Sequence, residues 1–227
     1  MPSMTHDDLN KKRVFLVDDH PLVREWLGHL INQQPDLAVC GEAETASAAL
    51  REIRRLEPDI AVVDLSLGGS SGIELIKEIK LACPRVEALV LSMHEESTYV
   101  ERSLRAGARG YVVKQETTKN IVTAIRQVLA GEYFLSSPLA LAMTRKFVAS
   151  PARGGISPVE LLSDRELEVF EMLGRGFETR RISEELHIGM KTVQAYCARI
   201  KEKLDLKNAT ALLREAVLWG QREKPRE

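Results

Sequence analysis

The sequence lacks paired cysteines and long apolar runs. Its three cysteines, Cys40, Cys83 and Cys197, are scattered and have neither a metal-type nor a disulfide-type spacing. No apolar run approaches the length of a membrane span, and residues 1–12 are polar and lack the apolar core of a signal peptide. These absences argue against a disulfide-stabilised secreted domain and against a membrane protein. They predict a soluble protein of the cytoplasm.

An excess of charge of either sign is also missing. The chain has 32 Lys and Arg against 33 Asp and Glu, and its formal net charge is −1. Nucleic-acid binding would therefore have to come from a local basic patch. The 227 residues, with 44% apolar and 29% charged side chains, are typical of a soluble protein and allow one large or two smaller domains.

What the sequence does contain, over residues 13–131, is an alternation of strand and helix patterns. Strands are predicted at 13–17, 37–41, 60–64, 88–91 and 110–113. The third is apolar on both faces, as expected for a strand buried in a parallel sheet. Each strand precedes a helical pattern, and two of those helices end at Gly107 and Gly131. The alternation predicts an α/β domain with a five-stranded, parallel, doubly wound sheet.

Polar side chains stand at the carboxyl ends of four of these strands. They are Asp18, Asp19, Asp64, Ser92 and Lys114. Ligands of open α/β sheets bind at this edge. Three carboxylates there would repel one another unless a cation joined them, and Mg²⁺ prefers carboxylates together with phosphate oxygens. Because a carboxylate can also attack a phosphoryl group, and a lysine and a hydroxyl can stabilise its oxygens, the set predicts phosphoryl transfer.

These strand-end residues, together with the run from Ala106 to Tyr111, resemble the receiver domain of bacterial two-component response regulators over residues 13–131. The resemblance implies that a partner histidine kinase phosphorylates Asp64. It implies an Mg²⁺ site formed by Asp18, Asp19, Asp64 and the main-chain carbonyl of Ser66. It also implies that Ser92 and Lys114 contact the phosphoryl group and that Tyr111 is an aromatic switch.

Two positions depart from the receiver pattern, since Gly68 and Gln115 stand where many receivers have proline. Gly68 predicts a more mobile loop after the phospho-acceptor, and neither change affects the chemistry. Two implied roles have structural alternatives. Ser92 could cap a helix ahead of Glu95, and Tyr111 could be a half-buried aromatic residue of a strand.

A change in composition predicts the domain boundary. Residues 132–158 are rich in serine, proline and glycine and predict a linker, while residues 1–12 predict a disordered N-terminus. Residues 159–227 predict a small all-α domain of four helices, which begins with a capping pattern at Ser163–Glu166. The second and third of these helices are joined by the short turn 187–189. That arrangement is a helix-turn-helix.

The third of these helices, predicted at 191–204, has two different faces. Its apolar face consists of Val193, Tyr196, Cys197, Ile200 and Leu204. Its polar face is the predicted DNA-binding face, which consists of Lys191, Thr192, Gln194, Ala195, Ala198 and Arg199, with Lys201 and Lys203 extending it. Small residues allow close entry into the major groove, where Gln194 and Arg199 can reach base edges, while Lys191 and Thr192 suit phosphates.

Short motifs in this unit resemble the LuxR/NarL-type DNA-binding domain over residues 160–220. They lie at 162–166, 182–186, 191–193 and 200–204. The family often has lysine or histidine at positions that are here Gln194, Tyr196 and Ala198. Residues 159–227 carry thirteen basic and thirteen acidic side chains. A neutral module should bind DNA weakly as a monomer, because it releases few counterions.

The resemblance also implies a homodimer, formed on phosphorylation, on a two-fold symmetric site in double-stranded DNA. The fourth helix offers a dimer surface at Leu212, Leu213, Ala216 and Val217. The chain is thus interpreted as a phosphorylation-dependent transcriptional regulator of the NarL/FixJ type rather than an enzyme. Phosphohydrolases with a strand-end aspartate typically need a second acid two residues later, where this chain has Ser66. The alternative is a receiver-based adaptor whose helical module does not bind DNA.

Overall fold

The computed structural model describes residues 11–93, 97–136, 139–141, 143–144 and 158–223, without the side chains of 118, 119, 158, 222 and 223. The chain divides into two compact units between Ala140 and Leu141. Most of the predicted linker and residues 1–10 of the predicted disordered N-terminus lie outside the described residues. Lys12, which was assigned to that N-terminus, is instead the first residue of the first strand.

The N-terminal unit is a parallel sheet with helices between its strands. The main strands are β1 (Lys12–Val17), β2 (Leu37–Ala43), β3 (Ile60–Asp64), β6 (Glu87–Ser92) and β7 (Gly110–Val113). A short hairpin, β4 (Ser66–Leu67) and β5 (Ser70–Ser71), follows β3, and β8 (Phe134–Leu135) comes last. The helices are α1 (Pro21–Asn32), α2 (Ala46–Leu56), α3 (Gly72–Ala82), α4 (Ser97–Ala106) and α5 (Thr117–Leu129). The predicted parallel α/β fold is confirmed.

The sheet contains a sixth short strand that the sequence analysis placed in the linker. The strand order is β2-β1-β3-β6-β7-β8, and β8 pairs in parallel with β7. Phe134 joins the sheet because its N–H donates to the carbonyl of Arg109 and its side chain packs against the hydrophobic core. Two residues are too few to give a strand periodicity, so the pattern missed them.

The strand order places the candidate site at the topological switch point. From β1 the chain crosses to β2 on one side, and β3 pairs with β1 on the other side. In sheets of this kind, ligands bind outside the carboxyl ends of the strands at such a point. The inner residues of β1 and β3 are almost completely buried, and each large aliphatic side chain buried here stabilises the fold by about 1.5–3 kcal/mol. The acidic residues therefore stand on a rigid support.

The C-terminal unit is a small helical domain. A short 3₁₀ turn (Pro158–Leu161) precedes α6 (Asp164–Gly174), α7 (Thr179–Glu185), α8 (Met190–Lys203) and α9 (Ala209–Glu223). Helix α6 begins with a capping box, in which Ser163 and Glu166 satisfy each other's backbone N–H groups. The buried core includes Leu167, Phe170, Ile182, Val193, Ile200 and Trp219. No helix in the described part of the chain has the length and apolar character needed to cross a membrane.

Candidate functional site

Four side chains converge at the carboxyl ends of β1 and β3. Asp18, Asp19, His20 and Asp64 each offer one ligand atom, and these atoms lie within 4.8 Å of one another. Asp18 and Asp64 are buried, and Asp19 is largely buried, whereas the ring of His20 is exposed. The three predicted acids are thus close together, as their strand-end positions suggested.

Lys114, which directly follows β7, contacts two of these acids. Its Nζ donates hydrogen bonds of 2.7 Å to Oδ2 of Asp18 and 2.7 Å to Oδ2 of Asp64. Burial raises the pKa of Asp64 to about 6, although the charge of Lys114 acts in the opposite direction. Burial alone would lower the pKa of Lys114, but the two carboxylates outweigh it and raise that pKa. The lysine therefore remains charged at neutral pH and compensates part of the negative charge.

Main-chain N–H groups fix the orientation of all three carboxylates. The N–H of His20 donates to Oδ1 of Asp18 at 2.9 Å, and the N–H of Gly68 donates to Oδ2 of Asp19 at 3.0 Å. The N–H of Ser66 donates to Oδ1 of Asp64 at 3.2 Å. These bonds leave the carboxylates in one small volume rather than splayed into solvent.

The donor set fits a divalent cation. The set has three carboxyl groups and one ammonium group, and a divalent ion would balance its excess of acidic side chains. Hard oxygen ligands from two or three carboxylates are typical of Mg²⁺ sites, which keep room for water and phosphate oxygens. Ser66 lies in β4 and is half-buried, and its N–H donates to the carboxylate of Asp64. The main-chain carbonyl of Ser66, which is the fourth predicted metal ligand, therefore belongs to the same loop.

A glycine behind Asp64 makes the close packing of this loop possible. A Cβ atom on Gly72 would lie 2.1 Å from the main-chain oxygen of Asp64 and 2.7 Å from Cα of Leu65. The N–H of Gly72 donates to the carbonyl of Leu65 at 2.8 Å, which joins the start of α3 to the end of β3. The sequence predicted only a mobile loop at Gly68, after the phospho-acceptor. The contact that requires glycine at position 72 is not visible in the sequence.

The two predicted switch residues are both fully buried. Ser92 is the last residue of β6 and is paired in register with Val113, the residue before Lys114. Tyr111 lies in the middle of β7 opposite Val90 and is 0% exposed. Tyr111 is thus more buried than the half-buried alternative assumed. Residues 94–96, on which the capping alternative for Ser92 depends, lie outside the described residues.

Arg24 is a further site residue that the sequence analysis missed. This side chain on α1 is buried, and its Nη1 donates to the main-chain oxygen of Asp18 at 2.6 Å. Its Nη2 donates to Oε1 of Glu44 at 2.6 Å. The only signal in the sequence is that Arg24 shares a helical face with the apolar residues Leu27 and Ile31.

In the C-terminal unit, α7 and α8 form the predicted helix-turn-helix. The turn between them contains His187 in the left-handed region, with φ of 52°. Ser183 stabilises the turn, because its Oγ donates to the carbonyl of Ile188 and its own carbonyl accepts the N–H of Ile188. Val193 and Ile200 fix α8 in the core, since both are 0% exposed.

The predicted DNA-binding face of α8 is largely exposed. Its solvent-exposed members are Lys191, Thr192, Gln194, Ala195, Ala198 and Arg199, and Lys201 is half-exposed. The guanidinium group of Arg199 lies 5.7 Å from the ring centre of Tyr196, at the outer limit of a cation–π contact. Their roles in DNA binding stay predictions, but these side chains share one accessible surface.

Lys203 is also exposed, but its ammonium group makes hydrogen bonds within the domain. Its Nζ donates to Oε2 of Glu166 at 2.6 Å and to the carbonyl of Leu161 at 3.1 Å. Burial alone would raise the pKa of Glu166, but the bonds from Lys203 and Ser163 outweigh it and lower that pKa. Lys203 therefore joins the end of α8 to the capping box of α6, and its role in DNA binding stays a prediction.

The predicted dimer surface on α9 divides into two parts. Leu212 and Ala216 are 4% and 0% exposed and pack inside their own domain, so their assignment to a dimer surface is corrected. The backbones of α6 and α9 are in close contact there, since a Cβ on Gly174 would lie 2.5 Å from the oxygen of Ala216. Leu213 and Val217, at 45% and 36% exposed, remain accessible.

Comparison with protein-family models assigns both units. Residues 14–126 match the model described as response regulator receiver domain. Residues 160–216 match the model described as bacterial regulatory proteins, luxR family.

Curated relatives match almost the whole chain. The oxygen regulatory protein NreC of Staphylococcus haemolyticus is 31% identical over 209 residues, which cover 90% of this chain and 96% of that protein. The protein of the same name from Staphylococcus carnosus is 29% identical over 209 residues, with the same coverage.

Solved structures agree with this similarity. A LuxR-family two-component response regulator from Aurantimonas sp. SI85-9A1 is 38% identical and covers 61% of this chain and 99% of its own, with a TM-score of 0.59. RcsB from Salmonella enterica serovar Typhimurium, bound to promoter rprA in the presence of the phosphomimetic BeF3-, is 25% identical. That match covers 92% of this chain and 99% of RcsB, with a TM-score of 0.60.

Proposed function

The chain belongs to the response regulators in which a receiver domain precedes a LuxR-type DNA-binding domain, and we propose that phosphorylation of Asp64 controls its regulation of transcription. The observation that carries this proposal is the position of Lys114, whose Nζ lies 2.7 Å from both Asp18 and Asp64. A buried carboxylate beside a fixed cation and two further acids is suited to accept a phosphoryl group. The proposed donor is the phosphohistidine of a sensor histidine kinase.

In the proposed reaction, an oxygen of Asp64 attacks the phosphorus atom. The P–O bond forms as the P–N bond of the phosphohistidine breaks, and the imidazole leaves. The carboxylate must be ionised to act as the nucleophile, and its pKa of about 6 allows that at neutral pH. The hydrogen bond from the N–H of Ser66 orients the carboxylate.

Asp18, Asp19 and Asp64, with the carbonyl of Ser66, would hold Mg²⁺, which supplies positive charge beside the phosphoryl oxygens. Lys114 would exchange its contact with the Asp64 carboxylate for one with a phosphoryl oxygen. Ser92 lies at the end of the neighbouring strand β6, at the same edge of the sheet. Its hydroxyl would donate a hydrogen bond to a second phosphoryl oxygen. The new contacts exist only in the phosphorylated state.

Phosphorylation would act by shifting an equilibrium between two receiver conformations. Ser92 and Tyr111 are the proposed moving parts, because both are fully buried and any change in their rotamers must be accommodated by neighbouring side chains. The shift would align or release the helix-turn-helix domain. We therefore expect the phosphorylated protein to bind DNA more tightly than the unphosphorylated one.

The proposed DNA target is a two-fold symmetric site bound by a homodimer in the cytoplasm. RcsB, a structural relative, is described as forming dimers on DNA, which supports this arrangement. The exposed face of α8 would enter the major groove, where Gln194 and Arg199 would contact base edges. Leu213 and Val217 on α9 would meet the second copy, and pairing would compensate for the few phosphate contacts of a neutral domain.

A phosphorylation assay followed by a gel shift tests the proposal. With Mg²⁺ and a small phosphodonor, the protein should gain one base-labile acyl phosphate, and Asp64→Asn should abolish it. Asp36→Asn, at an exposed acid paired with Arg126, is the control and should retain it. An acyl phosphate retained by Asp64→Asn would contradict the assignment of Asp64 as the phospho-acceptor.

The gel shift separates regulation from the adaptor alternative. The neutral charge and the small number of cations on α8 favour an adaptor, which would bind no promoter DNA in either state. A regulator should shift a fragment of its own promoter region, and more strongly after phosphorylation. Absence of any specific shift by the phosphorylated protein would support the adaptor instead. We propose the regulator, and not a phosphohydrolase, for which Ser66 would have to be a second acid.

A further inference from the structure

Arg24 is buried beside the acidic cluster, yet it touches none of the carboxylates in it. The whole residue is only 6% exposed, and a buried guanidinium group is costly unless its donors are satisfied. Nη1 donates to the main-chain oxygen of Asp18 at 2.6 Å. Nη2 donates to Oε1 of Glu44 at 2.6 Å, and Nε lies 3.6 Å from Oε2 of Glu42. The guanidinium group of Arg24 thus joins three segments of the chain: α1, the end of β1 and the end of β2.

Asp18 is therefore held on two sides of its Cα. Its carboxylate accepts from Lys114 and from the N–H of His20, while its main-chain oxygen accepts from Arg24. The main chain here leaves the sheet and turns into α1. Main-chain bonds connect the turn to both elements, because the N–H of Asp18 donates to the carbonyl of Ala43 at 3.2 Å and the carbonyl of His20 accepts from the N–H of Val23 at 3.1 Å. The Arg24 side chain adds the bond that fixes the main-chain oxygen of Asp18.

We propose that Arg24 is a positioning residue for the metal site, because it fixes the main chain at Asp18 so that Asp18 and Asp19 face Asp64. The inference rests on the proposed function, since it concerns the same Mg²⁺ site. Glu42 and Glu44 balance the charge of Arg24 locally. Its contribution is therefore a pair of hydrogen bonds in fixed directions from one planar group, which a lysine cannot reproduce.

The direction in which Mg²⁺ affinity changes distinguishes a positioning role of Arg24 from an effect of its positive charge alone. If Arg24 acted only as a nearby positive charge, its removal would tighten Mg²⁺ binding. If it positions Asp18, Arg24→Met should weaken Mg²⁺ binding about tenfold or more, as loss of a residue that orients metal ligands typically does. Arg24→Lys keeps the charge and should weaken binding as well.

Arg109 provides a matched control. Its guanidinium group also clamps a main-chain oxygen, that of Gly131 at 2.9 Å, and pairs with Glu87 at 3.0 Å. It precedes β7 and so lies at the opposite edge of the sheet from the acids. Arg109→Met should lower the melting temperature without changing the Mg²⁺ dissociation constant.

The experiment measures Mg²⁺ binding by calorimetry and phosphorylation by a small phosphodonor, in the full-length parent and the three variants. In Arg24→Met, the loss of phosphorylation relative to the parent should be large at limiting Mg²⁺ and small at saturating Mg²⁺. If the methionine variant does not fold, Arg24→Lys is used for the same comparison. A dissociation constant within twofold of the parent, or tighter, would overturn the inference. So would equal weakening by Arg109→Met. A parent that neither binds Mg²⁺ nor accepts phosphoryl would contradict the proposed function itself.

Discussion

Lys114 donates a 2.7 Å hydrogen bond to Asp64, which lies 50 residues earlier in the chain. The contact forms because β3 and β7 both pair with β6 and end at the same edge of the sheet. The hydrogen bonds of Lys114 join Asp18 to Asp64, while Nδ1 of His20 lies 3.1 Å from Asp18 and 2.8 Å from Asp19. The ammonium group of Lys114 therefore compensates part of the negative charge of the two buried acids without a metal.

Lys114→Met should destabilise the metal-free protein. Asp18 and Asp64 would lose their shared partner while remaining buried, and breaking a buried ion pair in this way typically costs about 3–5 kcal/mol. Mg²⁺ should restore part of that loss, because the cation replaces the missing positive charge. Urea unfolding at pH 8 with and without Mg²⁺ measures both effects.

The control for that experiment is Lys77→Met, at an exposed lysine paired with Glu74. Surface pairs of this kind contribute less than about 1 kcal/mol. An equal loss of stability for Lys114→Met in the presence and absence of Mg²⁺ would contradict the compensation between lysine and metal.

Mg²⁺ binding should depend on pH through Asp64. Its pKa in the folded protein is raised from 3.8 to about 6, so a proton competes with the metal below that pH. At pH 5 roughly one tenth of the carboxyl group is ionised, and Mg²⁺ should bind about tenfold more weakly than at pH 7.5. Calorimetric titrations at the two pH values test this. Asp64→Asn should lack this component of the pH dependence.

The same raised pKa has a consequence for stability. Because the folded state holds the proton more tightly than the unfolded state, this group stabilises the metal-free protein below about pH 4. That contribution should be lost as the pH rises through 6. We therefore expect the free energy of unfolding of Asp64→Asn, relative to that of the parent, to rise as the pH increases over this interval.

The strand-end acids and Lys114 could be predicted because a strand's direction and length determine where its end lies. Arg24 could not, since its partners Glu42 and Glu44 lie at the end of β2 and just beyond it, and a helical pattern does not give a side chain's contacts. The same limit explains Leu212. Helical spacing shows that it shares a face with Ala216, but not that this face packs against α6.

Gly72→Ala should damage the site more than an alanine substitution at an ordinary glycine. The added Cβ would lie 2.1 Å from the oxygen of Asp64, so the end of β3 would have to move. We expect a loss of stability of about 1–3 kcal/mol and slower phosphorylation. Gly28→Ala is the control, because nothing lies within 4 Å of its Cβ position and Gly28 is inside α1. It should leave phosphorylation unchanged and increase stability by about 0.5–1 kcal/mol.

Two substitutions on α8 should separate DNA contact from domain stability. Arg199→Met should weaken specific DNA binding by about 1–3 kcal/mol without changing the melting temperature. Lys203→Met should have the opposite pattern, because it leaves the buried Glu166 with one bond fewer, at a cost of about 1–3 kcal/mol. Fluorescence anisotropy with operator DNA and thermal unfolding of the same samples measure both quantities. Loss of DNA affinity in Lys203→Met at a temperature where the variant is fully folded would show that Lys203 acts in DNA binding as well as in stability.

The exposed and buried residues of α9 should also behave differently. Leu213→Ser combined with Val217→Ser removes two accessible apolar side chains and should leave the fold intact. Binding to a single half-site should stay unchanged, while binding to a two-fold symmetric site should weaken at least about tenfold, because the second contact is no longer linked to the first. Leu212→Ala creates a cavity instead and should destabilise the domain by about 2–5 kcal/mol. Sedimentation of the phosphorylated protein distinguishes these effects directly. A dimer of undiminished stability in the Leu213 and Val217 double variant would show that the second copy is held by another surface.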